Sequence, residues 1–170
     1  MKNLVLFAAA ALGLAACVSP PTPEERAEQT SRNLPLAEAV IPSCIDAARG
    51  KQPNYSRVNA LGYVQYEPSR KAPAGTYFKL PNQALAFEKA SLYFAPGKGC
   101  SVYYSNEQDD FNVIGTTWVG ALEAAGYKFT SKTDGNFDFV ANGIPMRLTG
   151  EHEISNYANT MTFDIQRRSR

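Results

Sequence analysis

The chain has 170 residues, with 17 lysines and arginines against 16 aspartates and glutamates and a single histidine. A balance this near neutrality lacks the basic excess that draws a protein to nucleic acid. The length suits one compact domain with a sizeable core, or two small halves, and is short for two large domains.

The amino terminus carries Lys2, an apolar run from Leu4 to Leu14, and then Leu14-Ala15-Ala16-Cys17. A basic start, an apolar stretch of signal-peptide length and small residues before a cysteine form the pattern of an export signal. This stretch resembles the lipobox of bacterial membrane-anchored lipoproteins. The resemblance implies that residues 1–16 are removed, that Cys17 becomes the lipidated first residue, and that two or three acyl chains together hold the protein on a membrane, since one chain anchors only marginally. Val18 stands where the inner-membrane retention signal of that family has an aspartate. The implied location is therefore the outer membrane, facing the periplasm. The apolar run is too short for a spanning helix, which needs about 20 residues.

Removal of the signal leaves 154 residues. Export places them in an oxidising compartment, and with Cys17 assigned to lipid the remaining pair, Cys44 and Cys100, is expected to form one disulfide. Without a Cys-x-x-Cys motif, and with His152 as the one histidine, the same residues make a poor zinc site. No metal and no cofactor are expected.

Residues 17–33 hold Pro20, Pro21 and Pro23 followed by a charged stretch with few apolar groups. That composition predicts a flexible tether, although Thr22 before Pro23 is compatible with a short capped helix to Arg32. The globular domain is then expected over 34–170. Leu36, Val40, Ile41, Cys44, Ile45 and Ala48 share one helical face. Pro42 either kinks this helix or starts its regular part, and Gly50 ends it.

From Arg57 the apolar period changes to two. Strands are predicted at Val58 to Tyr66, Gly75 to Leu80, Leu92 to Ala95 and Cys100 to Ser105, with a hairpin at Pro96-Gly97-Lys98-Gly99. Residues 83–90 fit helix or loop. Asp109 or Asp110 caps a helix from Phe111 to Ala125, whose apolar residues recur every three or four positions up to Gly126. Strands follow at Tyr127 to Lys132, Phe137 to Ala141, Ile144 to Gly150 and Thr160 to Gln166. Asp134-Gly135 and Asn142-Gly143 are strong two-residue hairpin turns.

The order helix, four strands, helix, four strands predicts an α+β domain. Two helices would pack on antiparallel sheet(s), in a tandem duplication of a helix-plus-four-strand unit with halves 34–106 and 107–170. Cys44-Ile45-Asp46-Ala47-Ala48 and Ala121-Leu122-Glu123-Ala124-Ala125 show the same alternation of small, apolar and acidic residues at corresponding places.

Catalytic patterns are scarce. On a strand His152 points away from Glu151 and Glu153, so neither carboxylate orients its ring. Asp109-Asp110 is explained by helix capping, Gly97-Lys98-Gly99 lacks the frame of a phosphate loop, and the Arg167-Arg168-Ser169-Arg170 tail reads as a solvated end. What stands out is tyrosine. Tyr63, Tyr66, Tyr77, Tyr93, Tyr103 and Tyr104 all fall on predicted strands of the first half. Tyrosine offers contact area and a polar tip at low entropic cost, so Tyr63, Tyr66, Tyr103 and Tyr104 are the candidate interaction face. The expected function is a non-catalytic binding or structural module of the cell envelope, touching the membrane through its anchor and meeting an envelope protein. The rival readings are an inhibitor of an envelope hydrolase such as a lysozyme or protease, acting through loop 67–75 or 96–99, and a small enzyme.

Overall fold

The structure, a computed structural model, describes residues 20–81, 90–105, 109–133, 135–154 and 159–168. The expected signal with Cys17, the undecided stretch up to residue 89, Asp134 of one hairpin turn and the terminal Ser169-Arg170 lie outside the described residues.

Helix α1 runs over Pro23–Ala48. Its first turn is fixed by a reciprocal cap, with the Glu25 amide donating to Thr22 Oγ1 at 3.2 Å and the Thr22 amide donating to the Glu25 carboxylate at 2.7 Å. Such a capping box satisfies two amides that a helix start leaves free, and Pro23 sits at the position where a missing N–H costs nothing. The expectation of a tether as far as Asn33 is thereby corrected, because the folded unit begins at Pro23 rather than Leu34. The physical reason is polar, since the buried residues of this first stretch are Gln29 and Asn33 and not an apolar stripe. Nor does the helix begin at Pro42; Pro35 and Pro42 both lie inside it. Each lacks the amide that would reach the carbonyl four residues back, and burial of Val40, Ile41, Cys44 and Ile45 around them offsets the loss.

A short helix α2, Ser56–Ala60, replaces the first half of the strand expected from Val58. Val58 is fully buried there, and Gly62, at φ +86°, turns the chain into a strand of only three residues. The strands are β1 Val64–Tyr66, β2 Thr76–Lys79, β3 Ser91–Ala95 and β4 Gly99–Ser105, then, after helix α3 Phe111–Ala124, β5 Phe129–Thr133, β6 Asn136–Ala141, β7 Ile144–Ile154 and β8 Asn159–Arg167. All eight join one antiparallel sheet in the order β1-β2-β3-β4-β8-β7-β6-β5. The architecture is α+β, with a single sheet. Each half is a meander that runs from an outer edge to the middle, and the two last strands, β4 and β8, pair at the centre.

Alternation sends Phe78, Leu92, Phe94, Cys100, Val102, Tyr104, Phe139, Met146, Leu148, Met161, Phe163 and Ile165 into one core together with the apolar residues of α1 and α3. Trp118 of α3 has no exposed surface, stacks over Phe163 of β8 at 6.0 Å and donates its indole N–H to the Tyr104 hydroxyl at 3.1 Å. A buried indole needs such a partner. Cys44 of α1 and Cys100 of β4 form the disulfide, with Cα atoms 4.9 Å apart. The loop before α3 is clamped from the side by α1. Arg32 and Asn33 donate to the Asp109 carboxylate at 2.5 and 3.1 Å, and the Asp110 amide donates to Gln29 Oε1 at 3.0 Å. Asp110 is the cap, taking the Asn112 and Val113 amides. Asp109 is instead the ion-pair partner of Arg32, so the two adjacent carboxylates have separate structural tasks.

Candidate interaction face

Helices lie against the core face of the sheet, and no described helix lies against the other. Register builds the second face row by row. Tyr66 pairs with Tyr77, Tyr77 with Tyr93, Tyr93 with Ser101, Ser101 with Asp164, Asp164 with Thr149 and Thr149 with Asn136. The neighbouring row is Ser91, Tyr103, Thr162 and Glu151, and beyond it come Ser105, Thr160 and Glu153. On the other side Gly99, Gln166, Arg147 and Asp138 face one another in line.

Three tyrosines form a ladder at one side. The rings of Tyr77 and Tyr93 stack at 4.7 Å, Tyr66 meets Tyr77 edge-on at 5.9 Å, and Lys79 Nζ lies 5.0 Å from the centre of the Tyr66 ring. Cross-strand aromatic pairs of this kind stiffen a sheet surface. Their hydroxyls also fasten the β1–β2 loop, Tyr77 donating to the Pro73 carbonyl at 2.8 Å and Tyr93 to that of Ala74 at 3.1 Å. Gly75 is required at this closure, because a Cβ there would come within 2.3 Å of the Tyr93 ring. Tyr103 stands further in and is 45% exposed, among the most exposed large apolar side chains of the described residues.

The four tyrosines expected to make the face divide. Tyr66 and Tyr103 are on it. Tyr63 and Tyr104 are in the core, 6% and 4% exposed, and are corrected to structural residues. Burial pushes the Tyr63 hydroxyl up to about 12 and also raises that of Tyr104, even though Trp118 donates to it. Adjacent residues on a strand point to opposite sides, so Tyr103 and Tyr104 could never share one. Tyr77 and Tyr93 take the vacated places.

At the opposite side Asp138 is buried and accepts from Arg147 Nε at 2.6 Å and Nη2 at 3.0 Å and from Arg168 Nη1 at 2.8 Å. The bidentate contact is the strong form of such a pair, and it holds the Asp138 carboxyl below the usual range. Its stabilising effect is therefore present at neutral pH and lost as the pH falls through that lowered value. The terminal arginine run is accordingly tied to the sheet at Arg168. The pairing was legible in principle, because a two-residue Asn-Gly turn sets Ala141 against Ile144 and so places Asp138 opposite Arg147.

Asp164 sits at the centre, half-buried on β8 beside Ser101, with Glu151 nearby on β7. Loss of hydration, aided by the Glu151 charge, raises its carboxyl above the ordinary range despite hydrogen bonds with Ser101 and Gln166. The folded protein thus holds a proton here more tightly than the unfolded chain, so stability rises as the pH falls from the raised value toward the ordinary value of about 3.9. Asp164→Asn is expected to leave the melting temperature unchanged or slightly higher at neutral pH, with the difference vanishing in acid. Melting curves of both proteins across that interval check it, and a lower melting temperature for the variant at neutral pH would contradict it.

His152 lies on the core side of β7, its ring stacked on Phe111 at 5.2 Å, while Glu151 and Glu153 point to the open face. The three side chains are not gathered into one site. A surface hollow of about 330 Å³ at the end of α3 is lined by Glu123, Tyr127, Phe129 and Lys132, and the Lys132 ammonium bonds there to Glu123 at 3.2 Å. No group of three metal-binding side chains occurs among the described residues. The arrangement therefore defines an α+β domain with one helix-backed sheet and one patterned, open sheet face. No protein-family model, no curated protein and no solved structure matches the chain.

Proposed function

We propose that this chain is a lipid-anchored protein of a bacterial cell envelope, tethered through Cys17 to the outer membrane and facing the periplasm, and that it acts without catalysis by binding another envelope component. The observation that carries the binding role is the open sheet face, where Tyr66, Tyr77, Tyr93 and Tyr103 lie on the side of an eight-stranded sheet away from the helices. Tyrosines stacked on a rigid sheet lose little freedom on association and bring both apolar area and hydroxyls. The anchor rests on the lipobox residues Leu14 to Cys17 and on the disulfide, which suits an oxidising compartment.

The binding role predicts that Tyr103→Ala, a change at an exposed position, keeps the fold and abolishes co-purification of an envelope partner from the native host. Retention of every partner by that variant would contradict it. Inhibition of a hydrolase lost on shortening loop 67–75, with Tyr103→Ala inert, would assign the protein to the inhibitor class instead.

The proposal includes a tandem origin for the two halves. It is supported by the repeated order of helix and meander, by the central pairing of the two last strands, and by matching helix ends. Gly50 and Gly126 both close their helices in the left-handed region, at φ +71° and +88°. The following amides of Lys51 and Tyr127 bond back to Asp46 and Leu122 at 3.0 and 3.1 Å, the same capping motif in each half. These caps align the halves one residue out of step with the match between Cys44–Ala48 and Ala121–Ala125. The equivalence therefore stands on topology and caps rather than on that short match.

A further inference from the structure

We infer that the partner lays a lysine- and arginine-bearing, extended polypeptide segment across the open face, cationic side chains over Glu151 and Glu153 and apolar ones over Tyr103 and the tyrosine ladder. This rests on the reading of the open face as a binding surface and adds the chemistry of what binds.

The face is divided by charge. At the Asp138 side the buried carboxylate is answered by Arg147 and Arg168, and away from the sheet the buried Asp109 is answered by Arg32. Around Asp164 no such answer comes from the described residues. The three rows Tyr93–Ser101–Asp164–Thr149, Ser91–Tyr103–Thr162–Glu151 and Ser105–Thr160–Glu153 contain carboxylates, hydroxyls and two tyrosines, and no lysine, arginine or histidine. Arg147 lies two residues along β7 from Thr149, at the next position on the same face, and its guanidinium is held on Asp138. The result is three carboxylates facing one side without a basic neighbour in their rows, next to an exposed aromatic ring that a cation can also approach. The raised carboxyl of Asp164 agrees, since an added positive charge would relieve it.

The spacing favours a polypeptide over a single ion. Glu151 and Glu153 are alternate residues of one strand, about 7 Å apart, and the rows of neighbouring strands are about 4.8 Å apart. Side chains on one side of an extended segment repeat at the same interval of about 7 Å. A segment with basic residues at alternate positions can therefore meet both glutamates, and its remaining length falls on the tyrosines.

The test uses the full chain and two synthetic probes, a short peptide of alternating lysine and valine and its counterpart with glutamate for lysine. The lysine peptide is expected to bind, more weakly as salt rises, and the glutamate peptide not to bind. Glu151→Gln combined with Glu153→Gln, both exposed changes, is expected to weaken binding about tenfold or more with the circular dichroism unchanged. Equal binding of both peptides, no effect of the double variant, or displacement of the lysine peptide by calcium ions alone would each overturn the inference. Failure of the lysine peptide while Tyr103→Ala still loses its envelope partner would overturn the cationic chemistry and leave the binding face standing. Failure of both would remove the face itself.

Discussion

Gly99→Ala is expected to destabilise the domain by more than about 4 kcal/mol, the range reached only when a substitution strikes a specific structural constraint. A Cβ at this position would stand 1.9 Å from the Ile165 carbonyl oxygen and 2.9 Å from the Gln166 Cα, both backbone atoms that no side-chain rotation can move aside. The residue also has φ +135°, outside the regions a side chain tolerates. Its neighbours make relaxation costly. Gly99 pairs with Ala95 in the β3–β4 hairpin and with Gln166 across the central β4–β8 seam. The same hairpin is tied to the rest of the fold by the Gly97 amide on the Ala47 carbonyl and the Arg167 amide on the Lys98 carbonyl, each at 2.7 Å. Pushing the strands apart at this point would open the one seam that joins the two halves of the sheet. Thermal unfolding should show a fall in melting temperature of more than about 10 °C, given about 2–4 °C per kcal/mol for a domain of this length. Unfolding indistinguishable from the parent would contradict the central pairing of β4 with β8.

The second large effect acts through the other end of the equilibrium. Replacing both Cys44 and Cys100 by alanine removes a link between residues 56 positions apart, and a loop of that length is worth about 4 kcal/mol through the entropy of the unfolded chain. Both cysteines are buried, 0% and 3% exposed, and join α1 to β4 next to Gly99. The variant should keep the native circular dichroism at low temperature and melt about 10 °C lower. Denaturant titration should show the loss chiefly as a lower midpoint. A change of less than about 1 kcal/mol would mean that the unfolded chain already holds these segments together.

The contrast between these two positions shows what the letters alone can carry. The disulfide follows from counting cysteines in an exported chain, and α3 follows from its three-and-four spacing because its buried stripe of Ile114, Trp118 and Leu122 is apolar. The second half of the sheet follows from its turns, where Asn142 and Gly143 take the positive φ values that the Asn-Gly pair favours. The first half of α1 stayed hidden because the residues it buries, Gln29 and Asn33, are polar and their partners lie some 80 positions away, as between Gln29 and Asp110. The legible signal is the Thr22, Pro23, Glu25 start, which forms the capping box. Pairing of β4 with β8 was not legible, since no local pattern fixes a contact between strands so distant in the chain. The acidic part of the candidate face depends on that pairing, which brings Asp164 next to Ser101, whereas alternation separates Tyr103 from Tyr104 and the β1–β2–β3 meander sets Tyr77 and Tyr93 beside Tyr66.

Binding through the open face is tested by photo-crosslinking in intact cells of the native host, with a photoreactive amino acid placed at Tyr103 on the open face or at Asn112, exposed on the surface of α3. A discrete crosslinked product is expected in the membrane fraction from position 103 and none from position 112. A product from position 112 with nothing captured at position 103 would contradict it.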